Sequence, residues 1–180
     1  MLKGKVNIIS VFDFRMAKVE SLLGSAKPFL EKVFDALEED GVDVSDFELD
    51  HICYRVETWE KYVYFRTKLS DFGIMISEAR INGRPIANFK LKEPIIFRDR
   101  KIRIVELPAP KKERFFPEDY EHVEFAVRTD PEEFAGQYPE LDFNTDDASR
   151  EINPTVSLSY GGFSVRFHEY SLEYVIDNFE

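Results

Sequence analysis

Two short segments decide the fold of this chain: residues 50–56, which read DHICYRV, and residues 121–127, which read EHVEFAV. Each segment opens with an acidic residue and a histidine and then alternates apolar and polar side chains. This period of two is the pattern of a half-buried β-strand. The recurrence predicts two similar halves, each opened by a strand that carries a histidine, His51 in the first and His122 in the second.

The two halves also close on similar strands. Residues 103–106 (RIVE) place Glu106 at the end of the first half, and residues 165–168 (VRFH) place His168 at the end of the second. Side chains two positions apart on a strand point to the same face. If the apolar faces pack on helices, the four polar residues line one concave surface of the sheet. We therefore expect a shared metal site made of His51, Glu106, His122 and His168.

The segments between these strands predict the order βαβββ in each half. In the first half a helix over residues 58–69 follows the opening strand, and Asn-Gly at residues 82–83 joins two later strands, because this dipeptide is a strong hairpin signal. The second half repeats the order in shorter form, with a weak strand around residues 141–143 and a Gly-Gly turn at residues 161–162. The prediction is an α+β fold in which two tandem βαβββ modules form a curved, barrel-like mixed sheet around a central pocket, with N-terminal helices.

We expect the 180 residues to form a single domain. It divides into an N-terminal helical segment (1–48), a first module (49–110) and a second module (119–180), with a Pro- and charge-rich linker between the modules. Residues 19–40 repeat apolar side chains three and four apart, which predicts one or two amphipathic helices, and Gly41 is the expected stop.

Composition argues against several classes of partner. The formal net charge of −11 disfavours nucleic acid and anionic membrane surfaces, since both demand a positive footprint. The apolar run at residues 6–12 is too short to span a bilayer and charges follow it, so neither a transmembrane helix nor a secretory signal is expected. A single cysteine, Cys53, excludes an internal disulfide and suits a reducing compartment. We expect a cytoplasmic protein with a small-molecule substrate; the oligomeric state is open, with a homodimer as one expectation.

Several short motifs, taken in order, resemble a known family. They are DHI (50–52), INGRPI (81–86), FKL (89–91), IVELP (104–108), EHVE (121–124), NPT (153–155) and FH (167–168). Together they resemble the YecM-like family, whose uncharacterised members are expected to bind metal. The paired βαβββ modules are similar to the vicinal-oxygen-chelate superfamily, which includes glyoxalase I and extradiol dioxygenases. The resemblance implies a divalent metal at His51, Glu106, His122 and His168, with open positions for two adjacent substrate oxygens.

One departure from the superfamily pattern concerns the closing strand. Glyoxalase-type sites commonly have a carboxylate there, whereas this chain has His168. A mechanism in which that carboxylate moves the proton is therefore disfavoured. Three imidazoles and one carboxylate suit one divalent transition-metal ion, namely Zn, Fe, Ni, Co or Mn, rather than Ca or Mg.

Other polar residues share the predicted face or lie near it. Glu124 follows His122 by two positions and is a candidate fifth ligand, an acceptor for an imidazole N–H, or a general base, with the last two favoured. Arg55 and Arg166 should also face the pocket, where each could hold a carboxylate or phosphate of a substrate or pair with an acidic residue. Arg84 belongs to the Asn-Gly hairpin, and the family resemblance implies a role at the pocket mouth.

Three further residues are expected to have structural roles. Asp50 and Glu121 each precede a histidine by one position, so alternation points them to the opposite face. Cys53 is expected to be a small buried hydrophobe. None of the three is a predicted ligand.

The leading functional hypothesis is a metal-dependent enzyme of isomerase, lyase or dioxygenase type. Its ion would act as a Lewis acid on a small substrate with two neighbouring oxygens, with Glu124 shifting a proton. The alternative is a non-catalytic module that binds metal or a small molecule on the same fold. Signatures of zinc proteases, nucleophile elbows, P-loops and dinucleotide turns are absent from the sequence.

Overall fold

The computed structural model describes residues 18–111 and 116–179. The apolar run at residues 6–12 and the start of the N-terminal segment lie outside the described residues. Among the helices that the structure describes, none has the length and apolar character needed to cross a membrane.

Helices and strands follow one another along the chain without regular alternation. The elements are α1 (Glu20–Leu23), α2 (Lys27–Glu39), β1 (Glu48–Arg55), α3 (Trp59–Leu69), β2 (Gly73–Ile81), β3 (Arg84–Phe97), β4 (Arg100–Pro108), β5 (Asp119–Ala126), α4 (Pro131–Ala135), β6 (Thr155–Ser159), β7 (Ser164–His168) and α5 (Leu172–Phe179).

All seven strands belong to one mixed sheet with the order β2-β3-β4-β1-β5-β7-β6. The pairs β1–β4 and β5–β7 are parallel, and the remaining pairs are antiparallel. The strands that carry His51 and His122, β1 and β5, pair directly at the centre of the sheet. The α+β fold with a mixed sheet is confirmed, but β2 and β6 are its free edges, so the curved sheet is not closed into a barrel.

Strand register places the polar residues of the central strands side by side. One row across β4, β1 and β5 contains Glu106, Cys53 and His122. The adjacent row across β1, β5 and β7 contains His51, Glu124 and Arg166. Because paired residues in neighbouring strands point to the same face, these side chains share one face of the sheet.

The opposite face of the sheet is apolar and is covered by helices. Phe125 of β5 packs edge-on against Phe34 of α2, with 6.1 Å between ring centroids. Phe167 of β7 contacts Phe134 of α4 at 4.6 Å. These rings are almost fully buried and belong to the main core. Burial of this face fixes the strand register, since a shift by one residue would expose the apolar set, and it leaves the polar face free to form a site.

Helix α3 begins where the sequence predicts. Thr58 has an extended backbone and its hydroxyl accepts a hydrogen bond from the Lys61 backbone N–H at 3.2 Å, which satisfies one free donor of the first turn. Glu60 lies in the first turn and Lys68 in the last, where each charge is favoured by the helix dipole. The helix packs on the apolar face through Phe65.

The second half differs from the prediction in two places. The expected strand at residues 141–143 does not form; Asn144 makes a single bridge to Ser157. Its side-chain oxygen instead accepts from the Asp146 backbone N–H at 2.9 Å, which stabilises a turn. The structure also has a helix after β7, α5, which the sequence analysis does not predict.

Candidate metal centre

The three histidines of the chain converge on one carboxylate. Glu124 Oε1 lies 3.4 Å from His51 Nε2 and 3.2 Å from His122 Nε2, and Glu124 Oε2 lies 3.7 Å from His168 Nε2. All four side chains are buried. The strands β1, β5 and β7 thus bring together residues that are distant in the sequence.

Glu106 completes the cluster on the β4 side. Its Oε1 lies 3.5 Å from His122 Nε2. One ligand atom from each of His51, Glu106, His122 and Glu124 can be chosen so that all lie within 4.8 Å of one another. His168 stands at the edge of this group, 3.7 Å from Glu124. Glu124 is therefore more central to the cluster than the sequence pattern indicated.

The donor atoms of this cluster fit a metal ion. Among the buried polar atoms that the structure describes, the Nε2 atoms of His51, His122 and His168 have no hydrogen-bond partner. Leaving such atoms unsatisfied costs about 1–3 kcal/mol each. The Nε2 atom of His122 lies 3.5 Å from Glu106 Oε1, close to the roughly 3.0–3.4 Å expected between adjacent ligands of an ion with bonds of about 2.1 Å. The residues present can hold a divalent transition metal.

Asp50 holds one of these imidazoles in position. Its Oδ2 lies 2.8 Å from His51 Nδ1 and 3.5 Å from His168 Nε2, and it accepts a hydrogen bond from the Leu172 backbone N–H at 3.0 Å. This corrects the expectation that Asp50 points away from the site. The strand register shifts between Leu49 and His51, and a shift of this kind disturbs simple alternation. Because the Asp50 carboxylate holds Nδ1 of His51, the other ring nitrogen, Nε2, faces the cluster.

His168 is oriented by the loop before β6 and the residues after β7. Its Nδ1 contacts the Tyr170 backbone carbonyl and lies 3.1 Å from Asn153 Nδ2. The Asn153 side chain also accepts from the Tyr170 N–H at 3.0 Å. Donation from Nδ1 to the carbonyl again directs Nε2 toward Glu124. The only signal for Asn153 in the sequence was the family motif at residues 153–155.

Electrostatics in the cluster favour charged side chains. Burial lowers the pKa of His51, but the charges of Glu124 and Asp50 outweigh it and raise that pKa well above its usual value. Burial would raise the pKa of Glu124, yet His51, His122 and Arg166 hold it well below its usual range. The pKa of Glu106 is lowered to about 2, because contacts with His122 outweigh the burial that would raise it. Such a site attracts a cation, whether protons on imidazole or a metal ion.

A cavity of about 1140 Å³ opens above the cluster. It extends to the β2–β3 hairpin and to the loop before β6. Arg166 and Arg84 line it, as the sequence predicts, and Arg166 Nη1 donates to Glu124 Oε1 at 3.1 Å. Arg55 does not line this cavity. Its Nε donates to the Pro117 carbonyl at 3.1 Å and its Nη1 lies 3.5 Å from Glu121.

Cys53 and Glu121 lie beside the cluster. A second register shift, between Cys53 and Tyr54, brings Glu121 Oε2 within 3.9 Å of the Cys53 Sγ, which corrects the expected outward direction of Glu121. Burial raises the pKa of the Cys53 thiol well above its usual value. The thiol therefore stays protonated and does not act as a nucleophile.

Comparison with known proteins identifies the family. The model of the YecM protein family matches residues 18–151. The chain belongs to the YecM family. The match includes four of the clustered residues, His51, Glu106, His122 and Glu124, and ends before Arg166 and His168.

Individual relatives agree with this assignment. The chain is 30% identical to Protein YecM of Escherichia coli strain K12 over 154 residues, which cover 76% of this chain and 80% of the relative. It is 26% identical over 165 residues to an uncharacterized protein of Haemophilus influenzae, covering 81% and 86%. A solved structural-genomics protein, Protein EC4020, has 30% sequence identity and a TM-score of 0.78, with 92% of this chain and 98% of that chain covered. The fold of this YecM-family chain is thus shared with an experimental structure.

Proposed function

We propose that this YecM-family chain is a metal-dependent enzyme that acts on a small substrate with two adjacent oxygens. One observation supports this proposal most directly. Three buried histidine Nε2 atoms that have no hydrogen-bond partner converge on a site flanked by Glu106 and Glu124. The proposed ligands are His51, Glu106, His122 and His168, for one Zn, Fe, Ni, Co or Mn ion. When bound, such an ion supplies a Lewis acid that stabilises negative charge developing on a substrate oxygen.

Glu124 is the proposed proton-transfer residue. Its pKa is held well below the usual range by His51, His122 and Arg166 despite its burial, so it enters the reaction as a carboxylate. Arg166 donates to Oε1 at 3.1 Å and orients the group toward the cavity. The carboxylate takes a proton from the carbon next to a substrate oxygen and returns it to a neighbouring atom, which is the general-base role in an isomerisation.

The cavity favours a small molecule as the ligand. It opens directly above the cluster, and both apolar side chains and many polar or charged ones line it, so a polar small molecule can find partners there. A net charge of −11 disfavours nucleic acid and anionic membrane surfaces as partners. We propose a soluble cytoplasmic setting for this reaction, consistent with the single buried, protonated cysteine.

The experiment compares the parent protein with Glu124→Gln on a panel of vicinal diols, catechols, 2-oxoaldehydes and 2-hydroxy acids, read by mass spectrometry. We expect the variant to retain its ion while turnover falls by about two to four orders of magnitude, the usual size of a general-base contribution. Glu39→Gln, which removes an exposed carboxylate from α2, is the matched control and should keep full activity.

Three outcomes would revise the proposal. Loss of the ion in Glu124→Gln would make Glu124 a ligand. Turnover unaffected by Glu124→Gln would refute its role as the base. Tight ligand binding without turnover by the parent protein would favour a non-catalytic binding module on the same fold.

A further inference from the structure

Two bulges interrupt the pairing of β1 and β5, and each contains an acidic residue next to a histidine. In the first bulge β1 has one residue more than its partner strand, and the extra residue is Asp50, directly before His51. In the second bulge β5 has the extra residue, which is Glu121, directly before His122. A bulge changes the direction in which a strand side chain points. The acidic-histidine pairs of the two halves therefore share one structural setting.

The first bulge brings its carboxylate onto the neighbouring imidazole. Asp50 Oδ2 lies 2.8 Å from His51 Nδ1, and both side chains are buried. The other ring nitrogen of His51, Nε2, lies 3.4 Å from Glu124. The extra residue of β1 thus holds a proposed metal ligand by the nitrogen that does not face the metal centre.

The second bulge places Glu121 close to His122. The Glu121 carboxylate, the Cys53 thiol and the His122 ring offer one donor atom each, and these atoms lie within 4.8 Å of one another. On the side of the metal centre, His122 Nε2 lies 3.2 Å from Glu124 and 3.5 Å from Glu106. The other ring nitrogen, Nδ1, is buried and has no hydrogen-bond partner among the residues that the structure describes. An unpaired buried nitrogen is unfavourable, so Nδ1 calls for an acceptor.

Glu121 is held where it can supply that acceptor. Its Oε1 lies 3.5 Å from Arg55 Nη1, and Arg55 Nε donates to the Pro117 carbonyl at 3.1 Å. Its Oε2 lies 3.9 Å from the buried Cys53 Sγ. Because Arg55 engages one oxygen, the other is available to His122. Glu121 does not line the large cavity, so its position suits an action on the imidazole rather than on a substrate.

We propose that Glu121 is a positioning residue for the metal centre, whose carboxylate accepts a hydrogen bond from the His122 Nδ1–H, directly or through one water. It acts in the second half as Asp50 acts in the first. An acceptor on Nδ1 keeps a proton on that nitrogen, fixes the ring and leaves Nε2 to face a metal. The effect on metal binding rests on the proposed function. The hydrogen bond itself does not.

The first measurement detects this hydrogen bond in chelator-treated protein, so that no metal contributes. The chain has three histidines, so NMR spectra of protein with isotope-labelled histidine contain few imidazole signals, which single histidine variants assign. In the parent protein we expect a His122 Nδ1–H proton that is shifted downfield and exchanges slowly with solvent. Glu121→Gln should shift it upfield, and Glu121→Leu, which has no acceptor, should speed its exchange at least about tenfold.

The Nδ1–H signal of His51 is the internal control, because its acceptor is Asp50. It should stay unchanged in both Glu121 variants, which also shows that the fold around the cluster is intact. Absence of a slowly exchanging His122 Nδ1–H from the parent protein would overturn the proposal. So would a His122 signal that is the same in the parent protein and in both variants.

A second measurement relates the hydrogen bond to metal binding. In competition with a chromophoric chelator, we expect Glu121→Gln to lower zinc affinity about 10- to 100-fold, the usual effect of losing an acceptor behind a ligating histidine. Glu93→Gln is the matched control, because it removes the same charge from an exposed position of β3. Equal affinity in these two variants would refute the positioning role. The hydrogen bond in a parent protein that takes up no zinc would refute the metal centre while supporting the contact between Glu121 and His122.

Discussion

At the scale of single residues, Asp50 connects the histidine cluster to the end of the chain. Its carboxylate lies 2.8 Å from His51 Nδ1, 3.5 Å from His168 Nε2 and 3.0 Å from the Leu172 backbone nitrogen. One buried side chain therefore orients an imidazole and also fixes the start of α5. Carboxylates in this position set both the tautomer and the basicity of a ligating histidine.

The first prediction concerns Asp50→Asn. The amide keeps the size of the side chain but is a weaker acceptor for the His51 Nδ1–H. We expect zinc affinity to fall about 10- to 100-fold, as is usual when an acceptor behind a ligating histidine is lost. Competition with a chromophoric chelator measures the change. The control is Asp35→Asn on the exposed face of α2, and equal affinity in the two variants would contradict the orienting role of Asp50.

A second prediction follows from the opposed pKa shifts of His51 and Glu124. The pKa of His51 is raised well above its usual value by Glu124 and Asp50 against the effect of burial, so protonated His51 stabilises the metal-free fold below the unfolded pKa of about 6.5. That contribution is lost as pH rises through the raised pKa. The pKa of Glu124 is depressed by His51, His122 and Arg166 against burial, so its contribution is present above the unfolded pKa of about 4.3 and is lost on acidification.

In the proposed site, zinc would compete with protons for the same imidazoles. The zinc-induced rise in melting temperature should therefore grow from about pH 5.5 to about pH 8, because histidine must be neutral to ligate. Thermal denaturation with and without zinc across this range measures it, with His51→Gln as the comparison. A pH-independent zinc effect in the parent protein would argue against histidine ligation.

Alternation along a strand was sufficient to predict that His51, His122, Glu124 and Arg166 share one face. It could not place Asp50, since the rule assumes an unbroken ladder and the register shifts next to this residue. Nor did it reveal that Glu124 lies within 3.7 Å of the Nε2 atoms of all three histidines. The contact between Glu124 and His168 depends on the β5–β7 pairing, because His168 lies on a strand that is distant in the sequence.

At the scale of elements, α5 closes one side of the cavity. Leu172 and Val175 line it, and Glu173 forms an ion pair with Lys90 of β3 at 2.5 Å. The helix has eight residues, too short to be stable without tertiary contacts. Its position therefore depends on these anchors and on Asp50.

The third prediction is that zinc binding protects α5 from hydrogen exchange. In the proposed site, ligation at Nε2 would immobilise His51 and, through Asp50, the hydrogen bond from the Leu172 N–H. Exchange in residues 172–179 should slow on zinc loading, whereas exchange in α3, residues 59–69, should change little. Mass spectrometry of peptides from the two helices provides the measurement. Equal protection of both helices would indicate general stabilisation rather than this link.

Secondary structure was predicted correctly where a local residue pattern is typical of only one kind of helix or turn. The predicted helix over residues 58–69 agrees with α3, and the Asn82-Gly83 turn predicted the β2–β3 hairpin. The expected strand at residues 141–143 failed for a physical reason: Leu141 and Phe143 are partly buried against the core, so their apolar alternation is satisfied by packing without a neighbouring strand. Helix α5 was not predicted because its eight residues are fewer than the roughly 11–18 over which a helical period is normally read.

At the scale of the whole molecule, the proposed site joins the two halves of the chain. His51 and Glu106 come from β1 and β4, while His122 and His168 come from β5 and β7. A bound ion would bridge the antiparallel β1–β5 pairing at the centre of the sheet. Sequence repetition predicted that both halves contribute ligands, but the strand order that makes them adjacent is a property of the folded sheet.

The fourth prediction is that metal stabilises the whole fold. A ligand that binds only the native state adds RT ln(1 + [L]/Kd), or about 2.7 kcal/mol at a free concentration of 100 times Kd. The melting temperature should therefore rise continuously with zinc concentration and as one cooperative transition. Separate transitions for the two halves, with only one of them responding to zinc, would contradict a site shared between them.

Metal stoichiometry tests the central claim most directly. Elemental analysis of protein loaded with zinc and freed of excess metal should give about one ion per chain, as a single four-ligand site requires. His122→Gln and Glu106→Gln should each lose most of the bound zinc, whereas Glu39→Gln, an exposed carboxylate on α2, should retain it. Bound zinc that is unchanged in both cluster variants would contradict a metal centre at this site.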